Sequence, residues 1–191
     1  MPDPIARIVR WREEARAAGV KDPEAMALAT ATPDGVPSVR IVLCRGEDAR
    51  GLWFFTNYQS RKGAELAANP RASACFYFSP LERQVRVEGI VELLDPADSD
   101  AYFATRPRGA QLGAWASPQS RPIGSLDEVH AVADAMASRF EGKDVPRPPF
   151  WGGYRLVAHA VEFWEGRPSR LHERERWERD GDGWRLTRLA P

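Results

Sequence analysis

Residues 26–45 read MALATATPDGVPSVRIVLCR, and this stretch decides the fold class. It contains two apolar, β-prone runs, Met26 to Thr32 and Ser38 to Arg45. Between them, Pro33-Asp34-Gly35 predicts a tight turn, because proline fixes φ and glycine accepts a positive φ. Two such runs joined by a tight turn predict an antiparallel hairpin.

The rest of the chain repeats this pattern of short strands and turns. Further strands are predicted at residues 52–56, 72–78, 83–94, 154–164, 170–178 and 184–189, with turns at 46–51 and 180–183. Gly89, inside the strand 83–94, indicates a bulge or a close backbone approach. Helices are predicted at residues 5–18, 60–68, 95–105, 111–115 and 125–140. The expected class is α+β, with a closed or nearly closed antiparallel sheet and peripheral helices.

The domain organisation follows from the same pattern. Residues 1–24 form a predicted N-terminal helix and linker, and residues 25–191 form one domain, a size that supports a real hydrophobic core. Lys+Arg and Asp+Glu both number 27, so charge gives no reason to expect a nucleic acid or a membrane surface as partner. The N-terminal residues lack the apolar stretch of a signal peptide, and no run reaches the length of a membrane span, so we predict a cytoplasmic protein.

Several familiar catalytic and binding motifs are absent from the sequence. Cys44 and Cys75 form no CxxC pair and have no histidine cluster near them, so no metal site is predicted. The chain has no GxGxxG, GxxxxGK[ST], GxSxG or HExxH motif. Hydrolysis and the common nucleotide-binding folds therefore lose their usual sequence support.

Cationic residues occur in unusual sequence surroundings at two places in the first half of the chain. Arg40 and Arg45 open and close the apolar strand run IVLC, where a buried arginine requires an anion. Arg61 and Lys62 begin a predicted helix, where the helix dipole disfavours positive charge unless an anion binds there. The alternative for both places is ordinary surface cations in water.

Two further places lie in the second half. Tyr102 and Arg106 are four residues apart and share one helix face, which suits either a phosphate site or a surface stack. Residues 170, 172 and 174 would share one face of a strand, so Arg170, His172 and Arg174 would lie side by side. A solvated strand edge is the alternative. The residues alone indicate anion binding with a histidine nearby.

Seven segments together resemble the pyridoxamine (pyridoxine) 5′-phosphate oxidase family. They are RIVL at 40–43, FFTN with SRKG at 54–63, ERQVRVEG at 82–89, RPRGAQLGAWASPQS at 106–120, PPFWGGYR at 148–155, EFWEGRPSRLHER at 162–174 and the terminal RLAP. The resemblance covers the chain from about Met26 to Pro191. It implies an FMN-binding split β-barrel that forms a homodimer, with FMN at the subunit interface.

The resemblance also implies a role for individual residues. It assigns FMN contacts, some from the partner subunit, to Arg40, Ile41, Val42, Leu43, Phe55, Thr56, Arg61, Lys62, Gln84, Gln119, Ser120, Trp164 and Arg174. It assigns the substrate phosphate to Arg45, Tyr102 and Arg106, and the catalytic positions over the substrate ring to Arg170 and His172.

The implied reaction is oxidation of pyridoxamine or pyridoxine 5′-phosphate at C4′, with hydride transfer to flavin N5 and reoxidation by O₂ to give H₂O₂. Arg45 stands where the family usually has lysine, and Ala110 where some members have serine. The segment before Met26 is also shorter than in many members. These departures motivate an alternative, a sister FMN oxidase that acts on another substrate such as a reduced phenazine precursor.

Overall fold

The computed structural model describes residues 3–191 and contains five α-helices and nine β-strands in that range. The helices are α1 (Pro4–Ala17), α2 (Arg61–Ala68), α3 (Pro96–Thr105), α4 (Arg108–Ala116) and α5 (Leu126–Arg139). The strands are β1 (Ala25–Ala31), β2 (Pro37–Leu43), β3 (Gly46–Asp48), β4 (Gly51–Asn57), β5 (Arg71–Phe78), β6 (Arg83–Leu93), β7 (Trp151–Glu165), β8 (Glu173–Asp180) and β9 (Gly183–Arg188).

All strands join one antiparallel sheet with the order β2-β1-β5-β6-β7-β4-β3, and β8 and β9 extend it from β7. The first hairpin is confirmed, since β1 pairs with β2 from Ala25–Leu43 to Ala31–Pro37. Strand β7 is shared along its length: its first half pairs with β4 and its second half with β8. This division of β7 between two partners produces the split barrel, and the predicted α+β class is confirmed.

A β-bulge in the pairing of β6 with β7 lies beside the point where β7 changes partner: Glu88 faces Ala160 and Gly89 faces Ala158, so the extra residue, His159, is on β7. The register between β6 and β7 shifts between Glu88 and Gly89. A Cβ atom on Gly89 would collide with the carbonyl oxygen of Val157 on the neighbouring strand. Only glycine therefore fits, which confirms the close backbone approach predicted at Gly89, and the bulged residue lies opposite it on β7.

The main core fills the barrel and continues under α1. Its largest fully buried side chains come from alternate strand positions and include Leu28, Phe54, Phe76, Val85, Leu156 and Phe163. Ile5, Ile8, Trp11 and Ala15 of α1 are buried against the same core at helical spacing. A second, smaller cluster of Phe103, Phe140, Val145 and Trp151 lies among the helices α3 to α5 and the start of β7.

Two local predictions need correction. The sequence predicts a turn at residues 46–51, yet Gly46–Asp48 forms the short strand β3 against β4. The strand predicted at residues 170–178 begins later than predicted, because Pro168–Arg170 is a 3₁₀ turn and β8 starts only at Glu173. Ser169 and Arg170 both have positive φ, 58° and 62°, so the backbone there cannot be a strand.

The helix α5 matches its prediction only in part. Its bounds agree with the apolar spacing, but none of its residues is buried, and Leu126 is 68% exposed. Among the helices of residues 3–191, none is long and apolar enough to cross a membrane.

Candidate functional site

A cleft of about 930 Å³ lies between strands β2 and β4 on one side and helices α3 and α4 on the other. It gathers most of the cofactor and substrate residues predicted in the first two-thirds of the chain: Arg40, Ile41, Val42, Leu43, Arg45, Phe55, Thr56, Lys62, Tyr102, Arg106 and Gln119. The described lining contains four cationic side chains and no carboxylate. Such a cleft attracts anions.

Lys62 lies at the end of the cleft nearest α2. Only 9% of its surface is exposed, and its Nζ contacts neutral oxygens alone: Thr56 Oγ1 at 3.0 Å, Gln119 Oε1 at 3.2 Å and Ser60 Oγ at 3.4 Å. Within residues 3–191 no carboxylate pairs with it. Burial, aided by the nearby charge of Arg40, lowers the pKa of Lys62. A buried ammonium without a counter-ion is costly, and an anionic ligand would remove that cost.

The neighbouring Arg40 is held by a buried carboxylate behind the cleft. Glu65 of α2 is 5% exposed and accepts hydrogen bonds from Ser38 Oγ at 2.5 Å, from Thr30 Oγ1 and from Arg61 Nε at 2.9 Å. Arg40 Nη2 lies 3.4 Å from the same carboxylate. Burial alone would raise the pKa of Glu65, but the hydrogen bonds from the two hydroxyls and the arginine outweigh it and lower the pKa to about 2.

Arg61, which the sequence predicts as an FMN contact at an anion site, lies outside the cleft. Its guanidinium pairs with Glu65 one helical turn away, and 60% of its side chain is exposed. The helix α2 begins with Ser60 as N-cap, whose Oγ accepts from the amide of Gly63. Lys62, but not Arg61, therefore points toward the cleft.

The opposite end of the cleft is built from aromatic rings and two arginines. Phe55 stacks on Tyr102 with ring centroids 3.9 Å apart, and Arg106 lies over the ring of Trp151 at 4.7 Å. Within residues 3–191, the buried Nη1 atom of Arg106 has no hydrogen-bond partner. Burial lowers the pKa of Arg106, and the charge of Arg45 acts in the same direction. An unsatisfied buried guanidinium nitrogen requires an acceptor that the described residues do not supply.

Four predicted residues form a separate group on the sheet. Gln84 pairs with Trp164, Trp164 pairs with Arg174, and the ring of His172 lies 4.6 Å from that of Trp164. His172 Nδ1 accepts a hydrogen bond from the amide of Arg167 at 3.2 Å, so the neutral ring carries its proton on Nε2. None of the four lines the cleft described above.

The prediction that Arg170, His172 and Arg174 share one strand face is wrong. Arg170 ends the 3₁₀ turn, His172 lies in the link after it, and only Arg174 is in β8. Arg174 is fixed by Glu162, with Nε–Oε1 and Nη2–Oε1 distances of 3.1 and 3.0 Å, and by the carbonyl oxygen of Ala190 at 3.0 Å. Ser120 follows the cleft residue Gln119 but is exposed and does not line the cleft.

Two family models match this chain over nearly its whole length. The model described as pyridoxamine 5′-phosphate oxidase matches residues 12–139, and the model described as pyridoxine 5′-phosphate oxidase C-terminal dimerisation region matches residues 151–191. The chain belongs to the pyridoxamine 5′-phosphate oxidase family. The resemblance inferred from the seven segments is confirmed, and the chain is an oxidoreductase of this flavin-dependent oxidase family.

Relatives named pyridoxine/pyridoxamine 5′-phosphate oxidase support this membership. The protein of Rubrobacter xylanophilus is 57% identical over 100% of this chain and 88% of its own length. That of Cupriavidus taiwanensis is 55% identical over 100% of this chain and 90% of its own length.

Two solved structures share the fold. PhzG from Burkholderia lata, in complex with tetrahydrophenazine-1-carboxylic acid, has a TM-score of 0.94 and 37% identity, covering 100% of this chain and 94% of its own. A pyridoxamine 5′-phosphate oxidase-related, FMN-binding protein from Nostoc punctiforme has a TM-score of 0.73 and 20% identity, covering 98% and 96%. The second likeness concerns the fold alone.

The sequence did not single out three residues that pair with or pack against predicted site residues. Glu65 looks like an ordinary helix residue in the sequence, although its spacing of four from Arg61 is the usual spacing of a helical ion pair. Trp151 lies within the PPFWGGYR segment, but the residues around it indicate no role for its ring. Glu162 opens another of the seven segments, and no sequence signal indicates that it is 3% exposed between Arg86 and Arg174.

Proposed function

We propose that this protein is an FMN-dependent oxidase that converts pyridoxamine 5′-phosphate, pyridoxine 5′-phosphate or both to pyridoxal 5′-phosphate, with O₂ as electron acceptor and H₂O₂ as product. For the amine, one substrate, one water and one O₂ give the aldehyde, ammonia and H₂O₂. The observation that carries the proposal is the cleft with cations at both ends and no carboxylate among its described lining residues.

The two ends of the cleft fit two different phosphates. At one end, Lys62 in the first turn of α2 is buried among neutral oxygens, which suits the phosphate of FMN. At the other end, the unsatisfied Nη1 of Arg106 and the neighbouring Arg45 suit the phosphate of the substrate. Two phosphate sites at opposite ends of one cleft would hold both rings between them.

The residues of this chain would bind and orient, and FMN when bound would supply the hydride acceptor and the reaction with O₂. Binding energy from the two phosphates would fix the reacting carbon in place. His172 is suited to donate a hydrogen bond through Nε2, since its Nδ1 is already engaged by the amide of Arg167. Arg170, exposed at the end of its turn, would assist in holding the substrate ring.

A homodimer would bring the second group of residues to the cleft of the partner. Strand β2 exposes a row of apolar side chains, Val39 at 68%, Ile41 at 66% and Leu43 at 37%, which a second subunit would cover. The match to the family's C-terminal dimerisation region supports the same assembly. We expect sedimentation to show a dimer, and a monomer that still holds FMN tightly would contradict an FMN site at the interface.

The decisive experiment is to purify the protein, record its absorption spectrum and assay it under air with pyridoxamine 5′-phosphate and, separately, with pyridoxine 5′-phosphate. The proposal expects a flavin spectrum together with formation of the aldehyde and of H₂O₂ in equal amounts. A flavin spectrum with no turnover of either vitamin B6 phosphate would reject the substrate but keep the flavin. A colourless protein that takes up no FMN would reject both.

A second candidate is an FMN oxidase that acts on a reduced phenazine precursor. Its support is the likeness to PhzG, together with Arg45 and Ala110 in the lining of the cleft. Arg45 is bulkier than the usual lysine, and Ala110 offers no hydroxyl to a phosphate. Parallel assays with pyridoxamine 5′-phosphate and tetrahydrophenazine-1-carboxylic acid separate the two candidates by the ratio of their kcat/KM values.

A further inference from the structure

Three nearly parallel aromatic rings form an aromatic stack at the substrate end of the cleft, in which Phe55 and Tyr102 lie face to face and Trp151 lies beside that pair. The ring centroid of Phe55 is 3.9 Å from that of Tyr102 and 5.7 Å from that of Trp151. The rings of Tyr102 and Trp151 are parallel to within 5°. Trp151 is only 6% exposed and belongs to the buried cluster among the helices. The stack is therefore anchored in the core at its Trp151 side.

The Trp-Gly-Gly sequence at the start of β7 makes this stack possible. Gly153 is the register partner of Phe55 on β4. A Cβ atom on Gly153 would lie 2.7 Å from Cε1 of Phe55 and 2.5 Å from Cδ1 of Leu94, closer than real contacts allow. The absence of a side chain at Gly153 leaves the space that the Phe55 ring occupies.

Arg106 lies against the Trp151 side of this stack. Its guanidinium carbon is 4.7 Å from the ring centroid of Trp151 and 5.5 Å from that of Phe103. In the described part of the chain Arg106 forms no ion pair, and its buried Nη1 has no hydrogen-bond partner. Its orientation is therefore set by aromatic faces.

An aromatic face holds a guanidinium in a way that a carboxylate does not. A carboxylate would fix Arg106 but would also neutralise it and occupy its nitrogen donors. The face of a tryptophan attracts the cation through its quadrupole and leaves the net charge and the edge donors free. A guanidinium held in this way is ready for an incoming anion.

We infer that Trp151 is a positioning residue that presents Arg106 to the phosphate of the substrate. The inference rests on the proposed function, since that function places a substrate phosphate at Arg106. Trp151 itself would not contact the reacting atoms. Its effect should appear in the affinity for phosphorylated ligands and should depend on the presence of Arg106.

The test uses the FMN-loaded protein and a ligand that cannot be oxidised. 4′-Deoxypyridoxine 5′-phosphate lacks the reacting group, and 4′-deoxypyridoxine lacks the phosphate as well, so calorimetry of both isolates phosphate recognition. We expect Trp151→Met to weaken binding of the phosphorylated ligand about tenfold, or about 1.4 kcal/mol. We expect Trp151→Phe, which keeps a ring face, to stay within about threefold. Binding of the unphosphorylated ligand and of FMN should not change.

Trp115→Met is the matched control. Trp115 lies in α4 with Arg139 at 5.8 Å from its ring, yet it does not line the cleft. If Trp151→Met does not fold, a double-mutant cycle between Trp151→Phe and Arg106→Ala gives the answer. The small effect of Trp151→Phe should vanish when Arg106 is absent.

The outcomes separate this inference from the proposed function. If the unaltered protein binds both ligands equally, no phosphate is recognised and the proposed function fails together with the inference. If the unaltered protein prefers the phosphorylated ligand and Trp151→Met keeps that preference in full, only the inference is overturned. The inference is also overturned, and the proposed function kept, if the effect of Trp151→Phe persists without Arg106.

Discussion

Replacing Lys62 by methionine should weaken FMN binding strongly and leave the apoprotein at least as stable as before. Methionine keeps the length of the side chain and removes its charge. The Nζ atom now lies at 3.0–3.4 Å from three neutral oxygens, and no carboxylate within residues 3–191 pairs with it. In the apoprotein the buried charge of Lys62 lowers stability, and with FMN bound the phosphate would compensate it.

The size of the effect follows from the burial of this side chain. A unit charge at about 4 Å from another is worth about 4 kcal/mol at an effective dielectric constant of about 20. Desolvation removes part of this, and a hydrogen bond to a charged group contributes about 1.5–3 kcal/mol net. At about 1.4 kcal/mol for each tenfold change, Lys62→Met should raise the Kd of FMN roughly 10- to 100-fold.

Quenching of flavin fluorescence on titration into the apoprotein measures that Kd. Lys21→Met, at an exposed lysine before β1, is the matched control and should bind FMN normally. An unchanged Kd for Lys62→Met would refute the assignment of the FMN phosphate to this end of the cleft.

The pH dependence of the apoprotein gives an independent readout. Burial lowers the pKa of Lys62 in the folded state, so the unfolded chain holds more protons than the folded chain between the lowered pKa and the ordinary lysine value. Stability of the apoprotein should therefore rise with pH through that alkaline window. Denaturant unfolding of Lys62→Met should lack this rise.

Three further predictions concern other parts of the molecule. His172→Ala or Arg170→Ala should lower kcat at least tenfold, about 1.4 kcal/mol of barrier, while the Kd of FMN stays nearly intact; equal loss of both would place these residues at the cofactor instead. Gly153→Ala should lower Tm, because its Cβ would overlap the ring beside it, whereas Gly109→Ala, with open space around it, should not. The lowered pKa of Glu65 contributes roughly 3 kcal/mol to the free energy of unfolding above about pH 4.5, and this contribution is lost as the pH falls from about 4.5 to about 2. Glu65→Gln should therefore lose this acid dependence of stability. An unchanged acid unfolding curve would contradict the lowered pKa.

The strands of the first half of the chain could be predicted because local signals mark them. Proline, glycine and alternating apolar residues delimit β1 and β2, and Gly89 within β6 indicates the close approach found opposite the bulge of β7. The sheet order carries no such local signal. The division of β7 between β4 and β8 combines pairs of residues 94 to 106 positions apart on the β4 side with pairs 8 to 18 positions apart on the β8 side.

The residues of the candidate site likewise divide into those that the sequence indicates and those that it does not. Lys62 could be singled out because the helix dipole disfavours a cation at a helix start, and Arg106 because it shares one helix face with Tyr102. The position of Arg170 could not, because two consecutive non-glycine residues with positive φ leave no sequence mark. The spacing of Arg61 and Glu65 allows a helical ion pair, but the sequence does not show that Glu65 is buried and therefore holds Arg61 away from the cleft.

The separation of His172 from the cleft that contains Lys62 has a genetic consequence. If each catalytic centre takes Lys62 from one subunit and His172 from the other, a chain lacking Lys62 and a chain lacking His172 would each form inactive homodimers. A mixed dimer would combine both lesions in one centre and leave the other centre whole. Co-expression of the two defective alleles should then restore growth where neither does so alone.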